Sequence, residues 1–326
     1  MTEPVVAAID CGTNSIRLLV ASRNVGGDLT DLAREMRIVR LGQGVDATGG
    51  FAPEAIERTR AALADYVHTA KALGATRIRM VATSATRDVE GRDGFFGMTA
   101  ELLGSVVPGA VAEVISGDEE ARLSFRGAVA GLGSGPDHDG PVLVTDLGGG
   151  STELVLGEAG SGGGLRVTHA FSADIGCVRL TERALASDPP TEREVDRARG
   201  IVEEQLDAAA HRVPIGNART WVGVAGTFTT LAALAHGLTE YDPVLIHRSR
   251  VPIEQLVSLC RRLVGMTSAE RLALGPMHPG RADVIGGGAL VAMLLARRLA
   301  ASGVTELVVS EHDILDGVAL GLTDES

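Results

Sequence analysis

The chain has 326 residues, 45% of them hydrophobic and 22% charged, with a formal net charge of −12. That length supports a sizeable core and, at roughly 100–200 residues per domain, two domains, while the acidic balance excludes the global basic face of a nucleic-acid binder. One lysine, Lys71, stands against 29 arginines, and it falls in a predicted helix, which excludes a P-loop with its lysine inside the glycine turn.

An anionic ligand must therefore be held by arginine, hydroxyls and backbone N–H groups in a locally cationic groove. Cys11, Cys177 and Cys260 have no CxxC spacing and read as reduced residues of a cytoplasmic protein. The chain opens on an apolar strand with no basic leader, and no run reaches about 18 apolar residues, so no membrane segment is expected.

In chain order, a strand at 5–9 runs into Asp10-Cys11-Gly12-Thr13-Asn14-Ser15, followed by a return strand at 16–21 and a third at 29–40. Pro53 opens a helix to 73, with proline in its first turn. A strand at 77–82 precedes Thr83-Ser84-Ala85-Thr86-Arg87. A helix at 94–103, a strand at 112–115 and an acidic helix at 118–129 follow. The stretch 131–140 is the most linker-like in the chain and marks a candidate boundary. The pattern then returns, with a strand at 142–145 into Asp146-Leu147-Gly148-Gly149-Gly150-Ser151, a return strand at 153–156, a hairpin loop at 161–164 and a third strand at 165–171. Helices at 177–186 and 191–211 lead to a strand at 220–224 and the turn Ala225-Gly226-Thr227. Helices at 229–236, 252–264, 268–272 and 282–301, a strand at 306–309 and a helix at 313–322 complete the chain. Strands in threes alternating with helices, twice over, predict an α/β fold with one mixed sheet per half and helices on its faces.

The two glycine loops form an internal repeat, the second starting 136 residues after the first. A glycine turn between strands lets backbone N–H groups point at an anion, and Ser and Thr hydroxyls add donors. An aspartate at the turn's start makes sense beside phosphate if a hard cation lies between them, as Mg²⁺ does when held by one or two carboxylates and phosphate oxygens. That makes Asp10 and Asp146 candidate metal ligands. Glu153 alternates to the same side as Ser151 and is a third. Asn14, Ser15, Gly148, Gly149, Gly150, Ser151 and Thr152 are candidate phosphate contacts. A single such loop is equally well an Asx-type turn satisfying its own backbone; the repetition favours a ligand. Gly226 and Thr227, opening a helix, are a third candidate phosphate site through the free N–H groups of a helix N-terminus, or a simple strand-to-helix turn.

Five segments resemble the Ppx/GppA family in order and spacing: Asp-Cys-Gly-Thr-Asn-Ser-Ile-Arg-Leu-Leu from Asp10, Ala-Thr-Ser-Ala-Thr-Arg from Ala82, Ile-Ser-Gly-Asp-Glu-Glu-Ala from Ile115, Asp-Leu-Gly-Gly-Gly-Ser-Thr-Glu from Asp146 and Gly-Thr-Phe-Thr-Thr-Leu from Gly226. That family contains exopolyphosphatases and phosphohydrolases that convert pppGpp to ppGpp. The resemblance spans essentially the whole chain and is similar to the short, two-domain actinobacterial members, without the C-terminal helical domain of the long ones. It implies the two-domain actin-like ATPase and sugar-kinase fold, with one domain at 1–123 plus about 311–326 and the other at 124–310. It implies Glu120 as general base, Arg87 as a phosphate-holding arginine, and Asp146 and Glu153 as carboxylates for Mg²⁺ and water. Cys11 and Thr13 replace the commoner Ile and Ser of the first loop. His312 and Asp313 interrupt the family's tail pattern and read as a solvated histidine and a helix cap.

The expected reaction is in-line attack of water on a terminal phosphoryl group of inorganic polyphosphate in a cleft between the domains. Alternatives are a pppGpp 5′-phosphohydrolase acting on guanosine penta/tetraphosphate, an ATP-dependent kinase of the same fold, and a non-catalytic alarmone sensor. Arg17, Arg40, Arg166, Arg179, Arg248 and Arg281 are candidates for a substrate groove that the sequence does not place. Many relatives are homodimers, which extends that expectation to this chain.

Overall fold

The computed structural model describes residues 4–24, 26–130, 140–159 and 165–324. It falls into two compact units, Met1–Leu123 with Ile314–Ser326, and Ser124–Asp313. Residues 131–139 of the linker-like stretch and the hairpin loop at 161–164 lie outside the described residues.

The first unit runs β1 (Val6–Cys11), β2 (Ser15–Arg23), β3 (Leu29–Ile38), α1 (Val45–Thr48), α2 (Pro53–Ala72), β4 (Arg77–Ala82), α3 (Ser84–Arg87), α4 (Asp93–Leu103), β5 (Glu113–Val114) and the start of α5 (Gly117–Ala130). Its sheet has the order β3-β2-β1-β4-β5, antiparallel through β1–β2–β3 and parallel through β1–β4–β5. Every residue of β1 is buried, so this central strand needs cover on both faces. Alternation supplies it. Ala7, Ile9 and Cys11 pack with Leu63 and Tyr66 of α2 and Phe95 and Met98 of α4, whereas Val6 and Ala8 face the other core.

The second unit runs β6 (Val142–Leu147), β7 (Thr152–Ala159), β8 (Leu165–Ala173), α6 (Cys177–Ala184), α7 (Glu192–Arg212), β9 (Thr220–Val224), α8 (Ala225–Ala235), α9 (Pro243–Ile246), β10 (Arg250–Pro252), α10 (Ile253–Gly265), α11 (Ser268–Leu272), α12 (Ile285–Ala301) and β11 (Glu306–Val309). The sheet order is β10-β11-β9-β6-β7-β8. Its β8-β7-β6-β9-β11 portion repeats the first sheet strand for strand, antiparallel then parallel. One large core fills this unit, including Trp221, Phe228, Leu206 and Leu290. Trp221 sits edge-on to Phe228 and donates its indole N–H to Thr145 Oγ1 at 2.8 Å, which satisfies the polar atom inside that core. The chain then returns to the first unit as α13 (Ile314–Asp324), whose Ile314, Val318 and Leu322 cover Val6 and Ala8.

The α/β architecture is thus a mixed sheet duplicated, once per unit, with helices on its faces, as expected. The differences from expectation are local. Strand β5 has two residues rather than four. Edge strand β10 has no counterpart among the expected elements, because three residues carry no periodicity. Helix α8 starts at Ala225 rather than 229, because Ala225 takes a left-handed backbone (φ 71°) that turns the chain sharply out of β9. None of the described helices is long and apolar enough to cross a membrane.

Candidate functional site

The two glycine loops close with the same turn. Gly12 N–H donates to Ser15 O at 2.9 Å, and Gly148 N–H donates to Ser151 O at 3.0 Å. Each loop sits at the C-terminal end of a strand with a parallel neighbour, the end at which open α/β sheets hold ligands. Around the first loop, Asn14 O accepts from the N–H groups of Val39 and Arg40, and Thr13 O accepts from Gly42 N–H. Asn14 and Ser15 are half-buried. The hydroxyls of Thr13 and of Thr86 on α3 are buried and have no hydrogen-bond partner among the described residues.

The second loop is gripped by the start of α6. The N–H groups of Cys177, Val178 and Arg179 donate to the carbonyls of Gly148 and Gly149 at 2.9 to 3.1 Å. The approach requires Gly176, where a Cβ would lie 2.4 Å from the carbonyl carbon of Gly149. Engaging the loop's carbonyls with a helix fixes the loop's backbone. Ser151 is buried. Thr152 is fully buried and spends its hydroxyl hydrogen on Ile175 O, so it fixes the loop from behind.

The carboxylates sort by register. Asp10 pairs with Arg17 across β1–β2, and Arg17 Nη2 and Nε reach Asp10 Oδ2 at 2.7 and 3.0 Å. At the corresponding places of the second unit, Asp146 pairs with Glu153 across β6–β7 and Glu153 pairs with Ser172 across β7–β8. Asp146 is 6% exposed and Glu153 1%. Ser124 Oγ donates to Asp146 Oδ2 at 2.5 Å, and Ser172 Oγ to Glu153 Oε1 at 2.7 Å. Where the first unit sets a guanidinium opposite its aspartate, the second sets another carboxylate. Two buried carboxylates in register repel unless a cation is present. Mg²⁺, which takes one or two carboxylates and fills its sphere with water and phosphate oxygens, fits that donor pair. Among the described residues no group of three His, Cys, Asp or Glu side chains forms a metal cage. Asp10, the other candidate ligand, carries Arg17 on its Oδ2.

Glu120 and Arg87, far apart in sequence, meet. Arg87, last residue of the single-turn α3, donates from Nη1 to Glu120 Oε2 at 2.6 Å and to Ile115 O at 3.1 Å. The three acids opening α5 divide. Asp118 pairs with Arg122 and Glu119 with Arg79 at the surface, while Glu120 turns inward and is 8% exposed. Ser124 follows Glu120 by one helical turn, on the same helix face. Neither the Arg87–Glu120 ion pair nor the two serines were anticipated. The i, i+4 spacing of Glu120 and Ser124 was the available signal for one of them.

The turn into α8 lies beside Asp146, because Val224 is its parallel partner. A Cβ on Gly226 would lie 2.3 Å from Arg281 Cζ, and Arg281 Nη1 donates to Gly226 O and Thr230 Oγ1, each at 3.4 Å. Thr227 is buried, 3% exposed. Burial pushes the neighbouring Cys177 thiol up to about 11, against the opposing pull of Arg281 and a Thr227 hydrogen bond. Of the other arginines left unplaced by the sequence, Arg17 holds Asp10 and Arg179 pairs with Asp174. Arg40 and Arg248 occupy left-handed turns, and Arg166 lies opposite Glu158 on β8. His312 is not simply solvated: its ring stacks on His247 with centroids 4.5 Å apart. Asp313 is buried just ahead of α13.

A duplicated mixed sheet thus carries a matched glycine loop in each half, and in the second half a carboxylate pair in register beside the loop. The model of the Ppx/GppA phosphatase family matches residues 19–323. The chain is 62% identical over 321 residues to "Exopolyphosphatase 2" of Mycobacterium tuberculosis, covering 97% of this chain and 98% of the relative. A crystal structure of an exopolyphosphatase-like protein matches with TM-score 0.91 and 41% identity over 100% of this chain and 99% of that one. The Aquifex aeolicus Ppx/GppA family member matches with TM-score 0.77 and 30% identity over 99% and 98%. The chain belongs to the Ppx/GppA phosphatase family.

Proposed function

We propose that the protein is an exopolyphosphatase that hydrolyses the terminal phosphoanhydride bond of inorganic polyphosphate with Mg²⁺, in the cytoplasm. The carrying observation is the in-register Asp146–Glu153 pair, placed where the first half has the neutralised Asp10–Arg17 pair. The name of the 62%-identical relative supports polyphosphate over guanosine pentaphosphate as substrate.

Phosphoryl transfer spreads negative charge over the equatorial oxygens, so catalysis is mostly positioning and electrostatics. In this reading the N–H groups and hydroxyls of Asn14, Ser15, Gly148–Ser151 and Gly226–Thr227 hold phosphate oxygens, and Arg87 adds a guanidinium. Mg²⁺ held by Asp146 and Glu153 supplies charge neutralisation when bound. Glu120, oriented by Arg87 at 2.6 Å, accepts the proton of the attacking water. Its oxygen and hydrogen end on the released orthophosphate and the shortened chain keeps the bridging oxygen.

The deciding measurement is phosphate release from polyphosphate and from pppGpp side by side, across a Mg²⁺ titration. Polyphosphate turnover that depends on Mg²⁺ supports the reading. Turnover of pppGpp alone would replace it with the alarmone phosphohydrolase, and glucose-dependent ADP formation from ATP with a kinase.

A further inference from the structure

We propose that Ser172 and Ser124 are positioning residues for the cation-binding carboxylates, acting through Glu153 and Asp146. The inference rests on the reading that this pair holds the divalent ion. Asp146, Glu153 and Ser172 stand in one register row across β6, β7 and β8. The equivalent row of the first unit is Asp10, Arg17 and Met36. The two rows therefore differ at two linked places. Arginine becomes glutamate, and an apolar methionine becomes a serine whose hydroxyl reaches that glutamate at 2.7 Å. A methionine beside Glu153 would offer its carboxylate no donor. The other end of the row is held from α5, where Ser124, fully buried, donates to Asp146 Oδ2 at 2.5 Å.

Each hydroxyl does two physical things. It places a hydrogen bond on one oxygen of a buried carboxylate, meeting part of that oxygen pair's demand for donors. It also fixes rotation of the carboxylate plane, so the two ligands approach a cation in one relative orientation rather than several. Partners of this kind around metal ligands are worth roughly 10–100-fold in metal affinity. Ser124 lies one turn beyond Glu120 on α5, so the helix that carries the proposed base also carries this donor. A role confined to folding would be served by any group that satisfies the carboxylates, with or without the ion.

The test uses the full-length protein, Mn²⁺ as the probe ion and electron paramagnetic resonance to count bound ion without substrate. Ser172→Ala and Ser124→Ala should each weaken Mn²⁺ binding by about 10-fold or more, and Ser172→Thr, which restores a hydroxyl, should return within about 3-fold of wild type. Turnover of the alanine variants should recover at raised Mg²⁺, separating a metal defect from a loss of chemistry. Ser172 is half-buried on a strand, so its pair of variants decides the matter even if Ser124→Ala fails to fold. Wild-type Mn²⁺ affinity in Ser172→Ala, or failure of threonine to restore a lost affinity, would overturn the positioning role. A wild-type protein that binds no Mn²⁺ would overturn the metal reading beneath it.

Discussion

Asp146 faces Glu153 across β6–β7 in the same register in which Asp10 faces Arg17 across β1–β2. One arm of the repeat has a carboxylate closed by a guanidinium at 2.7 Å, and the other has two carboxylates side by side at 6% and 1% exposure. A divalent cation held by both carboxylates, as proposed, would offset the repulsion between them. Glu153→Gln removes one charge from that pair. Without metal, its melting temperature should exceed that of wild type by a few degrees, at about 2–4 °C per kcal/mol for a domain of this size. Mg²⁺ should raise the melting temperature of wild type and leave the variant's unchanged. A variant that Mg²⁺ stabilises as strongly as wild type would remove Glu153 from the metal site.

Glu120 and Arg87 should behave as one device. Glu120→Gln is expected to keep substrate affinity while losing about 10²–10⁴-fold in turnover, the range of a missing general base. Arg87→Ala removes the proposed phosphate contact together with the group that holds Glu120, so it should raise KM and lower kcat together. The double variant should fall short of the product of the two defects, with a coupling of about 0.5–3 kcal/mol, as for residues in direct contact. Near-normal phosphate release by Glu120→Gln would dismiss it as the base, and strict additivity would show that the 2.6 Å contact has no part in turnover.

Gly176 is the residue on which the second loop rests. Its φ of −132° is open to any amino acid, so the demand for glycine there is one of space, not of backbone conformation. A Cβ would lie 2.4 Å from both the carbonyl carbon and oxygen of Gly149, and backbone cannot swing away as a long side chain can. Gly176→Ala should lift the start of α6 from the loop, cost about 1–3 kcal/mol in a urea titration, as overpacking does, and reduce turnover. Gly97→Ala, at a helical position with open space around its Cβ, is the control: it should leave turnover unchanged and gain about 0.5–1 kcal/mol, the advantage of alanine over glycine inside a helix. If the two variants melt alike, the close approach carries no weight.

The sequence made the second row's acids legible, because period-2 alternation puts Ser151 and Glu153 on one side and the loop announces itself twice. It did not reveal what meets across strands. That Glu153 would find Ser172 depends on the β7–β8 register, which shifts at Leu156/Gly157. The Arg87–Glu120 pair likewise needs β4 and β5 to be parallel neighbours, a tertiary fact with no local pattern. The strand β10 and the early start of α8 were missed for the opposite reason. Three residues are too few for periodicity, and the left-handed Ala225 is not a residue type that advertises such a turn.

Glu194 gives the fold a defined response to acid. It closes the capping box of α7: Thr191 N–H and Oγ1 donate to its Oε2 at 2.7 and 2.8 Å, and Ser187 N–H to its Oε1 at 3.0 Å. The hydrogen bond from the Thr191 backbone, then that from its hydroxyl, holds the carboxyl down at about 2, below the roughly 4.3 of an unfolded chain. A folded-state value depressed in this way contributes stability that is complete above about 4.3 and is lost as the pH falls towards 2. Glu194→Gln should therefore be less stable than wild type in urea at pH 7 and pH 5, and the gap should narrow through pH 4 and pH 3. A gap of constant size from pH 7 to pH 3 would mean that the ionised carboxylate contributes nothing the amide does not, and that the cap works through geometry alone.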